Sequence, residues 1–192
     1  MLKENPRLHR RELSKIIDPS RSFQRDQTSL DRDNRLMGYL LREARTDLAH
    51  GGAGVAALLA SPDQVMAVAF NTIQETGDLT NHAEMVLLHG VSRELQEMSD
   101  QERRGLSLYV TLEPCLMCGA ALSFAGIKRI VYSALAEDAN PEQMIVRDLT
   151  LPRVNPHFVR GPFILIPGVR RAEGKALLGE MNKAAGSTAL RT

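Results

Sequence analysis

A chain of 192 residues with 43% hydrophobic and 24% charged side chains has room for one domain with a full core. Its net charge of +1 argues against wholesale binding of phosphate backbones by the folded part, and two cysteines are too few for a disulfide scaffold. The first ten residues lack the apolar stretch of a secretory signal, and no later apolar run approaches membrane-spanning length. A reducing, cytoplasmic setting without a membrane partner is therefore expected.

Residues 1–33 show no sustained apolar period and read as a leader outside the core. Lys3, Arg7, Arg10, Arg11, Lys15, Arg21 and Arg25 outnumber Glu4, Glu12 and Asp18 there, a bias that suits a solvated, flexible leader and also permits an arm for RNA. From Asn34, Leu36, Met37, Leu40, Leu41, Ala44 and Leu48 recur at helical intervals, predicting a core helix that ends near Gly51 and Gly52. The apolar runs 55–60 and 65–70, joined by Ser-Pro-Asp-Gln, predict a β-hairpin. After a polar loop, Thr80 can cap a helix starting near His82, whose buried side is Met85, Val86, Leu88, Val91 and Leu95.

Residues 106–112 alternate as a strand and run into Glu113-Pro114, where proline suits the first turn of a helix. Cys115 and Cys118 then fall on that helix's opening turn. A strand at 130–132 follows after a short helical crossover, which predicts parallel pairing with its predecessor. Residues 136–161 are polar and punctuated by proline, as an irregular connection or lid. Residues 163–166 suit an edge strand, and 172–185 a closing helix containing Gly174 and Gly179. The order predicts a three-layer α/β/α sandwich around a central mixed sheet of about five strands. It occupies residues 34–185, between the leader at 1–33 and a tail at 186–192.

The two cysteines stand in Pro114-Cys-Leu-Met-Cys118, downstream of His82-Ala-Glu84. A C-x-x-C pair alone fits a redox couple or buried thiols, and H-x-E alone arises by chance. Together, in this order and both at expected helix starts, they form the signature of a zinc-dependent nucleobase deaminase. His82, Cys115 and Cys118 are three zinc donors, the number that leaves a fourth position for water. Two cysteines three apart share one helical face, and a helix N-terminus favours thiolates. Zinc lowers the pKa of water it holds from about 15.7 to roughly 7, so Glu84 can act as the proton shuttle without being a ligand. His89 stands about 10 Å along the helix axis from His82, too far to share the ion.

The resemblance extends beyond these residues. Asn71 followed by Glu75-Thr-Gly-Asp-Leu-Thr-Asn-His-Ala-Glu84, the run Leu108-Tyr-Val-Thr-Leu-Glu-Pro-Cys-Leu-Met-Cys118, and Ile127-Lys-Arg-Ile-Val-Tyr-Ser-Ala134 resemble the cytidine deaminase superfamily. The similarity lies on its branch of guanine deaminases and bacterial tRNA adenosine deaminases. The resemblance implies that Asn71 hydrogen-bonds the substrate base, although a loop asparagine bracing its own turn is the alternative reading. It implies a supporting role for Glu113, and a homodimer. Leu79 and Asn81 depart from the proline and alanine usual before the zinc histidine, beside the expected pocket wall. Thr-Leu-Glu-Pro-Cys resembles the tRNA enzymes, whereas Glu137-Asp138-Ala139 resembles guanine deaminases. The leading expectation is hydrolytic deamination of a small base or nucleoside, guanine-like purines first, with tRNA adenosine-to-inosine editing second. A catalytically silent zinc module comes third, because a structural site does not need Glu84.

Overall fold

The computed structural model describes residues 8–9, 29–140, 146 and 148–189. The seven basic residues from Lys3 to Arg25 lie outside them, as do residues 190–192. In chain order the elements are β1 (Leu8–His9), α1 (Ser29–Ala49), β2 (Ala56–Ala60), β3 (Val65–Phe70), α2 (Ile73–Thr76), α3 (Ala83–Gly90), α4 (Ser92–Glu97) and α5 (Asp100–Arg104). There follow β4 (Ser107–Leu112), α6 (Leu116–Ala125), β5 (Arg129–Ala134), α7 (Leu151–Val154), β6 (Ile164–Ile166) and α8 (Arg171–Ala189). Short 3-10 turns occupy Ala136–Asp138 and Asn155–His157.

The strands form one mixed sheet in the order β1-β3-β2-β4-β5-β6, antiparallel from β1 to β4 and parallel from β4 to β6. Each face of the sheet carries its own core. On one side Leu58, Val68, Tyr109 and Val131 pack with Leu36, Met37, Leu40 and Leu41 of α1 and Leu177 of α8. On the other, Leu59, Leu108, Val110 and Ile130 pack with Val86 and Leu87 of α3 and Leu122 of α6. Burial on both faces explains why β2 reads as an unbroken apolar run instead of alternating. The three-layer sandwich expected from the sequence is the observed fold.

Several boundaries differ from those expected. Helix α1 begins at Ser29, not Asn34, because its first inward-facing residue is the charged Asp33, which apolar periodicity cannot detect. Asp33 is 3% exposed and is held by Arg129 (Nη1 to Oδ1, 3.0 Å; Nη2 to Oδ2, 2.5 Å) and by the Tyr109 hydroxyl (2.8 Å). Within the leader, Leu8 and His9 pair antiparallel with Ala69 and Val68, adding a sixth strand too short to leave a period. Helix α8 continues to Ala189, four residues beyond the expected end, with no proline to stop it.

Helix α8 also accommodates the two glycines that weakened its pattern. A Cβ on Gly174 would stand 2.5 Å from Ser133 Oγ and 2.8 Å from the Ala134 nitrogen, so this glycine lets α8 lie directly on β5. A Cβ on Gly179 would meet nothing within 4 Å.

Candidate metal and substrate site

The parallel pair β4 and β5, bridged by α6, places a loop at the carboxyl end of β4, where open α/β sheets commonly build their sites. Residues 113–115 form this loop, and Cys115 is the N-cap of α6. Pro114 therefore precedes the helix instead of opening its first turn. His82 is likewise the N-cap of α3. Thr80 is not the cap, because its hydroxyl and its N–H both donate to Asp78 Oδ1, at 2.7 and 2.9 Å.

Neither N-cap side chain makes a capping hydrogen bond; both turn toward each other. His82 Nδ1 lies 3.7 Å from Cys115 Sγ and 3.7 Å from Cys118 Sγ, and the two sulfurs are 3.6 Å apart. The cysteines are free, since a disulfide would bring the sulfurs to about 2.05 Å. A tetrahedral ion about 2.3 Å from sulfur and about 2.0 Å from nitrogen requires donor separations of about 3.5–3.8 Å. The three side chains thus form a triangle of the right size and chemistry, positioned to hold zinc. Two helix N-termini converge on it, and their partial positive charge favours thiolates.

The charge state is unequal. Hydrogen bonding from Cys118, then from His82, pulls the Cys115 thiol down to about 4. The same bond to Cys115, with burial, pushes the Cys118 thiol well above its ordinary range. His82 is raised, chiefly by its hydrogen bond to Cys115. Glu84, at the second position of α3 and 4% exposed, is pushed up to about 7 by burial, with the Cys115 thiolate adding to the rise.

A cavity of about 260 Å³ opens onto this cluster. It is lined by His82, Glu84, Cys115, Asn71 and Glu113, and by an apolar surface that includes Val55, Leu112, Ala136, Val146, Leu149 and Leu151. Asn71 is among the lining residues, and its Oδ1 accepts the Ile73 N–H at 3.0 Å, the turn-bracing bond of the alternative reading. That bond leaves its NH2 group free of the turn. Leu79 and Asn81 do not line the cavity. Leu79 is 77% exposed, and Asn81 braces the loop by donating to Thr76 Oγ1 at 3.0 Å.

The acidic pair Glu137 and Asp138 is also absent from the lining. Arg171 binds both, and Lys175 approaches Asp138 at 3.2 Å. The wall residues of 136–151 were not foreseen individually. The one signal was a scatter of small and aliphatic residues, Ala136, Ala139, Val146, Leu149 and Leu151, in otherwise polar text.

Comparison with known proteins agrees with this geometry. Residues 30–134 match the family model for the cytidine and deoxycytidylate deaminase zinc-binding region. A tRNA-specific adenosine deaminase of Aquifex aeolicus is 33% identical over 115 residues, covering 60% of this chain and 74% of that protein. Among solved structures, one from a study of A-to-I editing by tRNA:A34 deaminases superposes with a TM-score of 0.59 at 31% identity, covering 74% of this chain and 97% of the other. A second, in complex with 2,6-diaminopurine, gives 0.66 at 25% identity and covers 79% and 82%.

Proposed function

This chain belongs to the cytidine and deoxycytidylate deaminase zinc-binding family of hydrolytic deaminases, and we propose that its substrate is an adenosine presented by a tRNA loop, converted to inosine. The observation that carries the choice of substrate is the similarity to tRNA-specific adenosine deaminases, at 33% identity over 115 residues for one of them. This similarity reverses the order in which the sequence alone ranked the two substrates. The Asn71 NH2 group suits a ring-nitrogen acceptor of the base.

His82, Cys115 and Cys118 would hold the zinc ion. Bound there, zinc supplies a water acidified enough to lose a proton near neutral pH. Glu84 takes a proton from the attacking water and delivers it to the ring nitrogen beside the amine-bearing carbon. The new C–O bond forms as that nitrogen is protonated, and a second transfer through Glu84 lets the C–N bond break and ammonia leave. Burial of Glu84 suits this exchange, since a carboxyl near 7 gives and takes protons with little bias. Asn71 orients the base through its NH2. At about 260 Å³ the cavity falls below the roughly 300–1,000 Å³ of sites for drug-sized ligands and fits a single base turned out of a loop.

Zinc-loaded protein assayed against guanine, adenine, cytosine, their nucleosides and an anticodon stem-loop bearing adenosine at its first anticodon position tests the reading. Inosine in the stem-loop with no ammonia from guanine is the expected result. Turnover of guanine without reaction of the RNA would replace it with the second reading, a free-purine deaminase, which the fold shared with the 2,6-diaminopurine complex favours. No turnover of any substrate would leave a silent zinc module.

A further inference from the structure

Glu113 follows the last residue of β4 and lies two positions before Cys115. Its own N–H donates to the Ala134 carbonyl at 2.9 Å, fixing its backbone to the end of β5. Oε2 accepts the Ala136 N–H and Oε1 accepts the Leu151 N–H, both at 3.0 Å. These two amides belong to separate parts of the chain that form one side of the cavity, Ala136 and Ala139 on one hand and Thr150 and Leu151 on the other. One side chain therefore ties both to the turn that bears the metal donors.

A second contact fixes the same wall independently. Leu151 is 1% exposed, and its Cδ1 lies 2.7 Å from where a Cβ on Gly119 would stand. Leu151 thus fills space that only glycine leaves open, one residue beyond Cys118. The wall is locked on both flanks of the donor run, by Glu113 before it and Gly119 after it. The donors themselves make neither contact, so wall and metal turn are separate structures joined at these points.

We propose that Glu113 is a positioning residue: its carboxylate holds the cavity wall of Ala136, Ala139, Thr150 and Leu151 against the metal-donor turn, setting substrate affinity and leaving the chemical step untouched. The inference rests on the proposed deaminase reading only in taking this cavity as the substrate's. A glutamine at 113 keeps one acceptor and sets an NH2 donor against the other amide, so one side of the wall loses its tie.

The test uses the zinc-loaded full chain carrying Glu113→Gln. Amide hydrogen exchange at Ala136 and Leu151 should rise about tenfold at one or both positions, with exchange in β2 and β4 unchanged. On the stem-loop, KM should rise about tenfold while kcat stays within about twofold, with one zinc retained per chain. Exchange needs no substrate, so its outcome is independent of the deaminase reading; if the native chain turns over guanine instead, the same KM and kcat split is measured on guanine. Unchanged exchange overturns the clamp. A fall in kcat at constant KM would make Glu113 part of the chemistry, and loss of zinc would make it a support of the donors; either overturns the proposal. Should Glu113→Gln not fold, Glu113→Asp, with both acceptors on a shorter stem, carries the same two measurements with the same overturning outcomes.

Discussion

Arg171 grips Asp138 with two prongs, Nε to Oδ2 and Nη2 to Oδ1, each at 2.8 Å. Asp138 Oδ2 also accepts the Leu135 N–H at 3.0 Å, so this buried carboxylate joins the start of α8 to the turn after β5. The Arg171 bonds hold its carboxyl well below the usual carboxylate range. A depressed folded-state pKa contributes stability that is present above the unfolded value of about 3.9 and is lost as pH falls toward the folded one. Asp138→Asn should therefore lower stability at pH 7 and remove part of the loss that the native chain suffers below pH 4. Urea denaturation at pH 7 and pH 3 measures both; a mutant destabilised equally at the two pH values would contradict the linkage.

The glycines of α8 should respond in opposite directions to alanine. At Gly174 the new methyl would strike the backbone nitrogen of Ala134, an atom that cannot swing aside, and a cost of about 1–3 kcal/mol is expected. At exposed Gly179 there is open space, and removing glycine's backbone freedom should stabilise by about 0.5–1 kcal/mol. Thermal melts of the two single mutants should move to opposite sides of the native chain.

Metal loading should expel protons. The hydrogen bond between the two cysteines pulls the Cys115 thiol down and pushes the Cys118 thiol up, and His82 is shifted toward its charged form. Zinc binding to the apoprotein at pH 7 should thus release at least one proton, from Cys118, and its affinity should fall as pH is lowered. Calorimetric titration in buffers of different ionisation enthalpy gives the proton count; a count of zero would mean that Cys118 does not bind as a thiolate.

Glu84→Gln preserves the size of the side chain and removes its proton-carrying capacity. Zinc content should stay at one per chain while kcat drops by about 100-fold or more. Retained turnover would remove Glu84 from the proposed mechanism.

The readable and unreadable parts of this molecule divide along physical lines. The donors were legible because chemistry demands particular residue types at helix starts, and His82, Cys115 and Cys118 stand 3.6–3.7 Å apart as their spacing implied. The sheet was legible because strands buried on both faces give runs such as 56–60. The first turn of α1 was not, since its inward residue is Asp33, held by Arg129 from 96 positions away. Leu79 and Asn81 drew suspicion through proximity in sequence to His82, but the loop turns them outward. The wall of Ala136, Ala139, Thr150 and Leu151 was invisible for a related reason: it depends on the pairing of Glu113 with two distant backbone amides, which no local pattern records.

The position of His82 and Cys115 at helix N-caps sets local stability against function. Serine, threonine, aspartate and asparagine are the residues a helix N-cap ordinarily favours, by about 0.5–2 kcal/mol over residues that do not cap, and neither position holds one. Placing one at either position would delete a donor. A stability-guided redesign of this chain would therefore be drawn to the two residues it must leave alone, and selection for folding alone would erode the site at these points first.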